Sequence, residues 1–377
     1  MSVKRVFVEP AWKLPLYTYE LNENPPKGYT FVIPVRSGRP IFSNSYSQLL
    51  YDLQAGFSRI TPLQLGISMI RSLSSRSVDL TWSLTHVRFH DSPWILDMAT
   101  EQPHLLISPY AKIKGYRTLI RRYLLKKSCR KIICWCKIGK DAILSAYGQD
   151  LEDKVVAMYW GVSKKDYTKS AISQKINILF INSGNMNNEQ HFVDKGGLEL
   201  LKAIKILMNN YKNFSIMIRS GLDIGLKNAF SKFQNIRIID AMLSREELDA
   251  IWRAGDLFVM PNRYNTPAKV FLEAMSYGLP IITTDIWANP ELVRHGETGL
   301  LVRHPYTSTY NKCLSPNMTN KPNESIVKGL VEAISYLLED ESLRVKMGKK
   351  ARSLVDNGPF SIESRNERLS RVLDQSV

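Results

Sequence analysis

The chain has 377 residues, 44% of them hydrophobic; this is about two domains of length with apolar material for a core in each, and it excludes a disordered protein. Its apolar runs all fall short of the roughly 20 residues that cross a bilayer, and Met1–Glu9 reads as a first strand rather than a secretory signal. The net charge is +16, and Cys129, Cys134, Cys136 and Cys313 show neither C-x-x-C spacing nor a His pair at metal-ligand intervals, which fits reduced thiols in a cytoplasmic protein.

Short β-rich runs alternate with helical patterns throughout, so the expected class is α/β, with parallel sheets covered by crossover helices. In the first half, strands are expected at Arg5–Val8, Thr30–Pro34, Val78–Ser83, Trp94–Asp97, Lys131–Trp135 and Val155–Tyr159, with helices such as Tyr46–Phe57 and Pro62–Leu73. From Lys112 to Lys140 there are eleven basic residues and no acidic one, while Ile113, Tyr116, Ile120, Tyr123 and Leu124 keep a helical apolar stripe. Such a helix either rests on anionic lipid or nucleic acid through its cations, or is a solvated basic face whose stripe lies in the core. Around Lys164–Lys175 the chain turns polar and loses its period, which marks an interdomain linker.

The second half restarts with strands at Asn177–Ile181, Phe214–Arg219, Ile236–Ile239, Leu257–Met260 and Pro280–Thr284. Helices are expected at Gly197–Asn209, Arg245–Arg253, Ala268–Tyr277, Ser325–Leu338, Leu343–Val355 and Ile362–Leu373. The Ser, Thr, Asn and Pro-rich stretch from Tyr306 to Asn323 reads as a surface insertion.

In open parallel sheets ligands bind beyond the carboxyl ends of the strands, so the strand-to-helix turns carry the chemistry. The first informative turn, Asn182–Gly197, contains Gly184 and ends in Lys195-Gly196-Gly197, where helix-opening amides and an ammonium suit a phosphate. It matches neither a G-x-x-x-x-G-K-[ST] loop nor a G-x-G-x-x-G fingerprint, so ATPase and dinucleotide readings lose support. The second, Met260–Pro267, offers Asn265 or Thr266 as a helix cap and Pro267 in the first turn, with the free amides beyond placed to receive a diphosphate. Glu273 follows about two turns in. A lone helical Glu is ordinarily a surface residue, but Val270, Phe271, Leu272, Ala274 and Met275 surround this one, and a carboxylate in such company needs partners such as sugar hydroxyls. In the third turn a strand ends at Asp285, a helical segment holds Pro290 and Glu291, and a Gly296-x-x-Gly299 hairpin returns to a strand.

Gly255-Asp256-Leu-Phe-Val-Met-Pro261, Phe271-Leu-Glu273-Ala-Met-Ser-Tyr-Gly-Leu-Pro280-Ile-Ile-Thr-Thr-Asp285, Pro290-Glu291-Leu-Val and His295-Gly296-Glu-Thr-Gly-Leu-Leu-Val302 follow in sequence. Their order and spacing resemble the C-terminal domain of the family 4 glycosyltransferases, which have the GT-B fold of two Rossmann-like doubly wound domains facing each other across a cleft. The resemblance implies an N-terminal acceptor domain over 1–163, a linker at 164–175, a nucleotide-sugar domain over 176–358, and a C-terminal helix at 359–377 returning to the first domain. It implies transfer of a sugar from a nucleotide diphosphate donor to an acceptor hydroxyl, without a metal or further cofactor and with retention at the anomeric carbon.

By the same resemblance, Lys195 holds the donor phosphates, Asp240 lies in the loop lining the base pocket, and Glu273 bonds the donor ribose. Asn265 stands where the family keeps a first Glu, and Asn265 through Ala268, by way of Thr266 and Pro267, border the diphosphate. The loop before Lys195 lacks the family's usual Arg, for which Arg219 or Arg263 would substitute. Acceptor-side groups are sought in Thr85–Glu101, where His86, His90, Asp97 and Glu101 are candidates and His90 and Asp97 are preferred as catalytic groups. The partners expected are a nucleotide diphosphate sugar, a glycan or lipid-linked acceptor, and an anionic membrane surface at the inner face through residues 112–140. A catalytically inactive scaffold that keeps the fold is the alternative, which the uncharged Asn265 permits. A nucleic-acid binder rests on charge alone and has no motif behind it.

Overall fold

Runs of β-branched and aromatic residues become parallel strands in both halves of the chain. The structure, a computed structural model, describes residues 3–9, 16–33, 78–84, 87–88, 91–98, 114–167, 175–182, 189–263, 269–305 and 321–377. The helices expected at Tyr46–Phe57 and Pro62–Leu73 lie outside the described residues. Two units are formed, Met1–Trp160 together with Ile362–Val377, and Gly161–Ser361.

The first unit holds β1 (Lys4–Glu9), β2 (Tyr29–Val32), β3 (Leu80–Leu84), β4 (Trp94–Asp97), β5 (Cys129–Cys134) and β6 (Val155–Ala157). They form one parallel sheet in the order β2-β1-β3-β4-β5-β6. β3 and β4 are buried along their whole length, as strands of a sheet covered on both faces should be. Helices α1 (Leu16–Glu23), α2 (Lys114–Leu125) and α3 (Lys137–Tyr147) belong to this unit. Of the stripe expected on α2, Ile120 and Leu124 are buried and Tyr116 and Tyr123 half-buried, while Arg117, Leu119 and Arg122 are exposed. The Lys154 ammonium donates to the carbonyls of Leu124 (3.0 Å), Leu125 (3.1 Å) and Lys126 (2.7 Å), closing the carboxyl end of α2 with a cation.

The second unit holds β7 (Ile176–Ile181), β8 (Phe214–Arg219), β9 (Ile236–Ile239), β10 (Leu257–Val259), β11 (Ile281–Thr284) and β12 (Gly299–Val302). Its sheet is also parallel, in the order β12-β11-β10-β7-β8-β9. The hairpin expected at Gly296–Gly299 is not one: residues 296–298 turn, but β12 runs parallel to β11, with Ile281 opposite Gly299, because the chain first crosses back through a short helix. The helices are α4 (Glu189–Asp194), α5 (Gly197–Asn210), α6 (Ile224–Ser231), α7 (Arg245–Ala254), α8 (Lys269–Ser276), α9 (Asn289–Leu292), α10 (Glu324–Glu339) and α11 (Glu341–Asp356). Their starts follow local chemistry. Ser244 and Glu247 form a reciprocal capping box on α7, Asp223 caps α6, and Asn323 and Asp340 cap α10 and α11.

The polar stretch from Lys164 to Tyr167 is aperiodic yet held in place. Arg352 donates to the carbonyls of Lys165 (2.6 Å) and Tyr167, and the Tyr167 hydroxyl donates to the Arg253 carbonyl (2.9 Å). The last helix, α12 (Ile362–Asp374), is part of the first unit, where Arg365 donates to the Asn24 carbonyl (2.9 Å) and Asp374 accepts from the Tyr29 hydroxyl (2.5 Å).

Candidate donor site at the switch point of the second sheet

In the second sheet the chain runs outward from β7 through β9 on one side and from β10 through β12 on the other, so strand order reverses between β7 and β10. A crevice outside the carboxyl ends at such a reversal is where doubly wound sheets hold their ligands. The turn before α5 and the loop after β10 meet there. Gly196 has φ +77°, and a Cβ on it would lie 1.9 Å from the Pro261 carbonyl oxygen, while a Cβ on Gly197 would strike the Phe192 ring at 2.2 Å. Only glycine fits at the first of these positions, on both backbone and steric grounds. The Arg263 amide adds a bond to the Asp194 carbonyl (2.9 Å). Lys195 is therefore presented, half-buried, from a turn fixed against the β10 loop.

Arg263, one of two cations considered as a substitute for the family's missing Arg, is 6% exposed and already engaged. Its Nε donates at 2.6 Å to Oε1 of Glu199, a fully buried acid in the first turn of α5, and a terminal nitrogen donates to the Lys321 carbonyl at 2.7 Å. Glu199 Oε1 also accepts from the Asn323 amide (2.8 Å). This pair ties the β10 loop to α5 and to the start of α10. On the other side, Thr284 Oγ1 donates to the Asn262 carbonyl (2.6 Å), Thr283 Oγ1 to the Met260 carbonyl (2.8 Å), and Asn289 Nδ2 to the Thr284 carbonyl (2.9 Å). The turn so fixed includes Trp287 at φ 53°, an uncommon conformation for a bulky residue.

Arg219 ends β8, equally buried, and its situation differs. One terminal nitrogen donates to the Asn182 carbonyl (2.8 Å) and the other approaches Met242 Sδ (3.9 Å). Burial pulls its guanidinium below the ordinary arginine range. Asp240, just past β9, is ion-paired with Lys227. Glu273 is half-buried on α8 between neighbours Leu272 and Ala274, which are buried. Gly184, Asn265, Thr266, Pro267 and Ala268 lie outside the described residues, as do His86, His90 and Glu101 in the first unit.

Asp97 closes β4, fully buried, and its two oxygens accept from the indole N–H groups of Trp82 (2.8 Å) and Trp135 (2.7 Å). Trp135 in turn stacks on Trp160. This carboxylate is thus an acceptor for two indoles in the core. Asp97→Asn places an amide donor against an indole donor, and we expect it to lower stability by about 1–3 kcal/mol, read as a drop in denaturant midpoint at unchanged slope.

Sequence reasoning missed Glu199 and Asn262. A Glu in the first turn of a helix looks like a partner for the helix dipole, and its arginine lies 64 positions away, so no local pattern marks it.

Two parallel doubly wound sheets, with a glycine-fixed turn meeting the loop after β10 at the reversal of the second, define a protein of the GT-B fold class. Residues 177–314 match the model of the family described as glycosyl transferases group 1. Over 140 residues the chain is 30% identical to an uncharacterized 41.2 kDa protein in the cps region of Klebsiella pneumoniae, covering 37% of this chain and 36% of the relative. Over 263 residues it is 25% identical to the sulfoquinovosyl transferase SQD2 of Arabidopsis thaliana, covering 67% and 47%. The chain thus spans less than half the length of either curated relative. Among solved structures, Anabaena HepE in complex with UDP and glucose superposes with a TM-score of 0.61 over 99% of both chains at 13% identity, a likeness of fold.

Proposed function

We propose that this protein is a glycosyltransferase that moves a sugar from a nucleotide diphosphate donor to an acceptor hydroxyl, with retention and without a metal. The convergence of the Lys195–Gly197 turn with the β10 loop supports it most directly, because Gly196 leaves no space between them for a side chain. In the reaction the bond from the anomeric carbon to the phosphate oxygen breaks and its electron pair leaves with the diphosphate. The acceptor oxygen bonds to that carbon and passes its proton to an oxygen of the leaving diphosphate. Negative charge grows on the leaving diphosphate, so the fixed ammonium of Lys195 and helix amides act where the transition state needs them. Glu273 holds the ribose in register. UDP and glucose bound to HepE are compatible with such a donor.

The acceptor side is assigned to the first unit, with His90 as a candidate group. The exposed Arg117 and Arg122 of α2 support a cytoplasmic protein attached peripherally to an anionic membrane that carries the acceptor. No helix among the described residues is long and apolar enough to cross a membrane.

A panel of nucleotide sugars read by mass spectrometry tests the reaction. Transfer or donor hydrolysis is expected with at least one donor, falling about 100-fold or more in Lys195→Ala and Glu273→Ala. Nucleotide binding without turnover would favour the scaffold reading, to which the uncharged Asn265 lends support. The absence of any thermal shift with nucleoside diphosphates would remove both.

A further inference from the structure

Two buried polar side chains on the carboxyl edge of the second sheet have capacity that the described residues do not meet. Arg219 is 6% exposed, its Nε has no hydrogen-bond partner, and no carboxylate among the described residues pairs with it. Arg263 provides an internal comparison, since the same cation at the same burial has Glu199 against it. A guanidinium withdrawn from water without a counter-charge is costly, and the cost is offset when an anion arrives. Asn262 is fully buried, and neither Oδ1 nor Nδ2 is bonded, although its backbone is held on both sides by Met260 and Thr284. A buried amide with both ends idle is rare and calls for a specific explanation.

Arg219 ends β8 and Asn262 lies just past the end of β10; these two strands flank β7 and so run about 10 Å apart at the edge where the sheet reverses. That is the reach of one extended polar molecule. We propose that Arg219 and Asn262 are binding residues for the same ligand, Arg219 as counter-charge to its diphosphate and Asn262 as a paired donor and acceptor for a neighbouring polar group. This rests on the nucleotide-diphosphate reading of the site and adds the source of its second cation. Arg219 supplies that cation from the end of β8, whereas Arg263 is spent on Glu199.

Titration calorimetry with UDP, GDP and ADP and the matching monophosphates tests it. In Arg219→Met the diphosphate is expected to bind about 10–100-fold more weakly, with a clearly smaller loss for the monophosphate, and Arg219→Lys should fall between. Asn262→Leu is expected to weaken diphosphate binding while raising the melting temperature of the free protein, since an idle buried amide is replaced by an apolar group. A loss in Arg219→Met that is the same for both ligands, or none, overturns the role of Arg219. A lower melting temperature with full binding in Asn262→Leu assigns that amide to an internal water and overturns its role. If the wild-type protein binds none of these nucleotides, the donor reading falls, and this inference with it.

Discussion

Arg263→Met is expected to destabilise the second unit by about 3–5 kcal/mol, because it leaves the Glu199 carboxylate buried with only the Asn323 amide among its identified donors. For a unit of this size that corresponds to a fall in melting temperature on the order of 10 °C. The cost comes from stranding a charge, so the double variant Glu199→Gln/Arg263→Met should recover part of it. Recovery separates the electrostatic account from simple loss of packing around the Arg263 stem. A single variant that melts within about 1 °C of the wild type would show that water reaches Glu199, contrary to its burial.

Gly196→Ala carries the other large effect, and here binding suffers with stability. The left-handed backbone alone costs about 1–2 kcal/mol for a residue with a Cβ. The Cβ would also fall 1.9 Å from the Pro261 carbonyl oxygen, so the turn and the β10 loop must separate. Gly296 has nearly the same φ, +78°, with nothing within 4 Å of its would-be Cβ. Gly296→Ala should therefore show the backbone cost and keep nucleotide binding, whereas Gly196→Ala shows a larger loss of stability and loses nucleotide binding as well. Equal behaviour of the two variants would mean that the approach of the loops does not shape the site.

Much of this was legible in the residues. β4 and β10 read as strands because both faces are buried and the apolar run is continuous. Lys195-Gly196-Gly197 stood out because an ammonium beside helix-opening amides suits a phosphate. Glu273 stood out because an acid among Phe271, Leu272, Ala274 and Met275 breaks the apolar pattern. Helix α6 was not foreseen, and the reason is physical: it buries none of its residues, so no 3.6-residue period is written into Ile224–Ser231. The Glu199–Arg263 pair and the idle amide of Asn262 depend on contacts made only in the folded chain. Asp97 was singled out as a polar group at a strand end, a position that does not distinguish a reacting carboxylate from one that receives two indoles.

The membership of α12 in the first unit has a consequence for how the molecule is made. Residues 161–361 form their own unit between the two parts of the other, so on the ribosome the later-encoded sheet can close while the earlier one still lacks Leu369, Val372 and Leu373. A nascent chain halted at residue 361 would carry a finished second unit joined to an unfinished first one, and quality-control proteases would meet the amino-terminal half as the exposed partner.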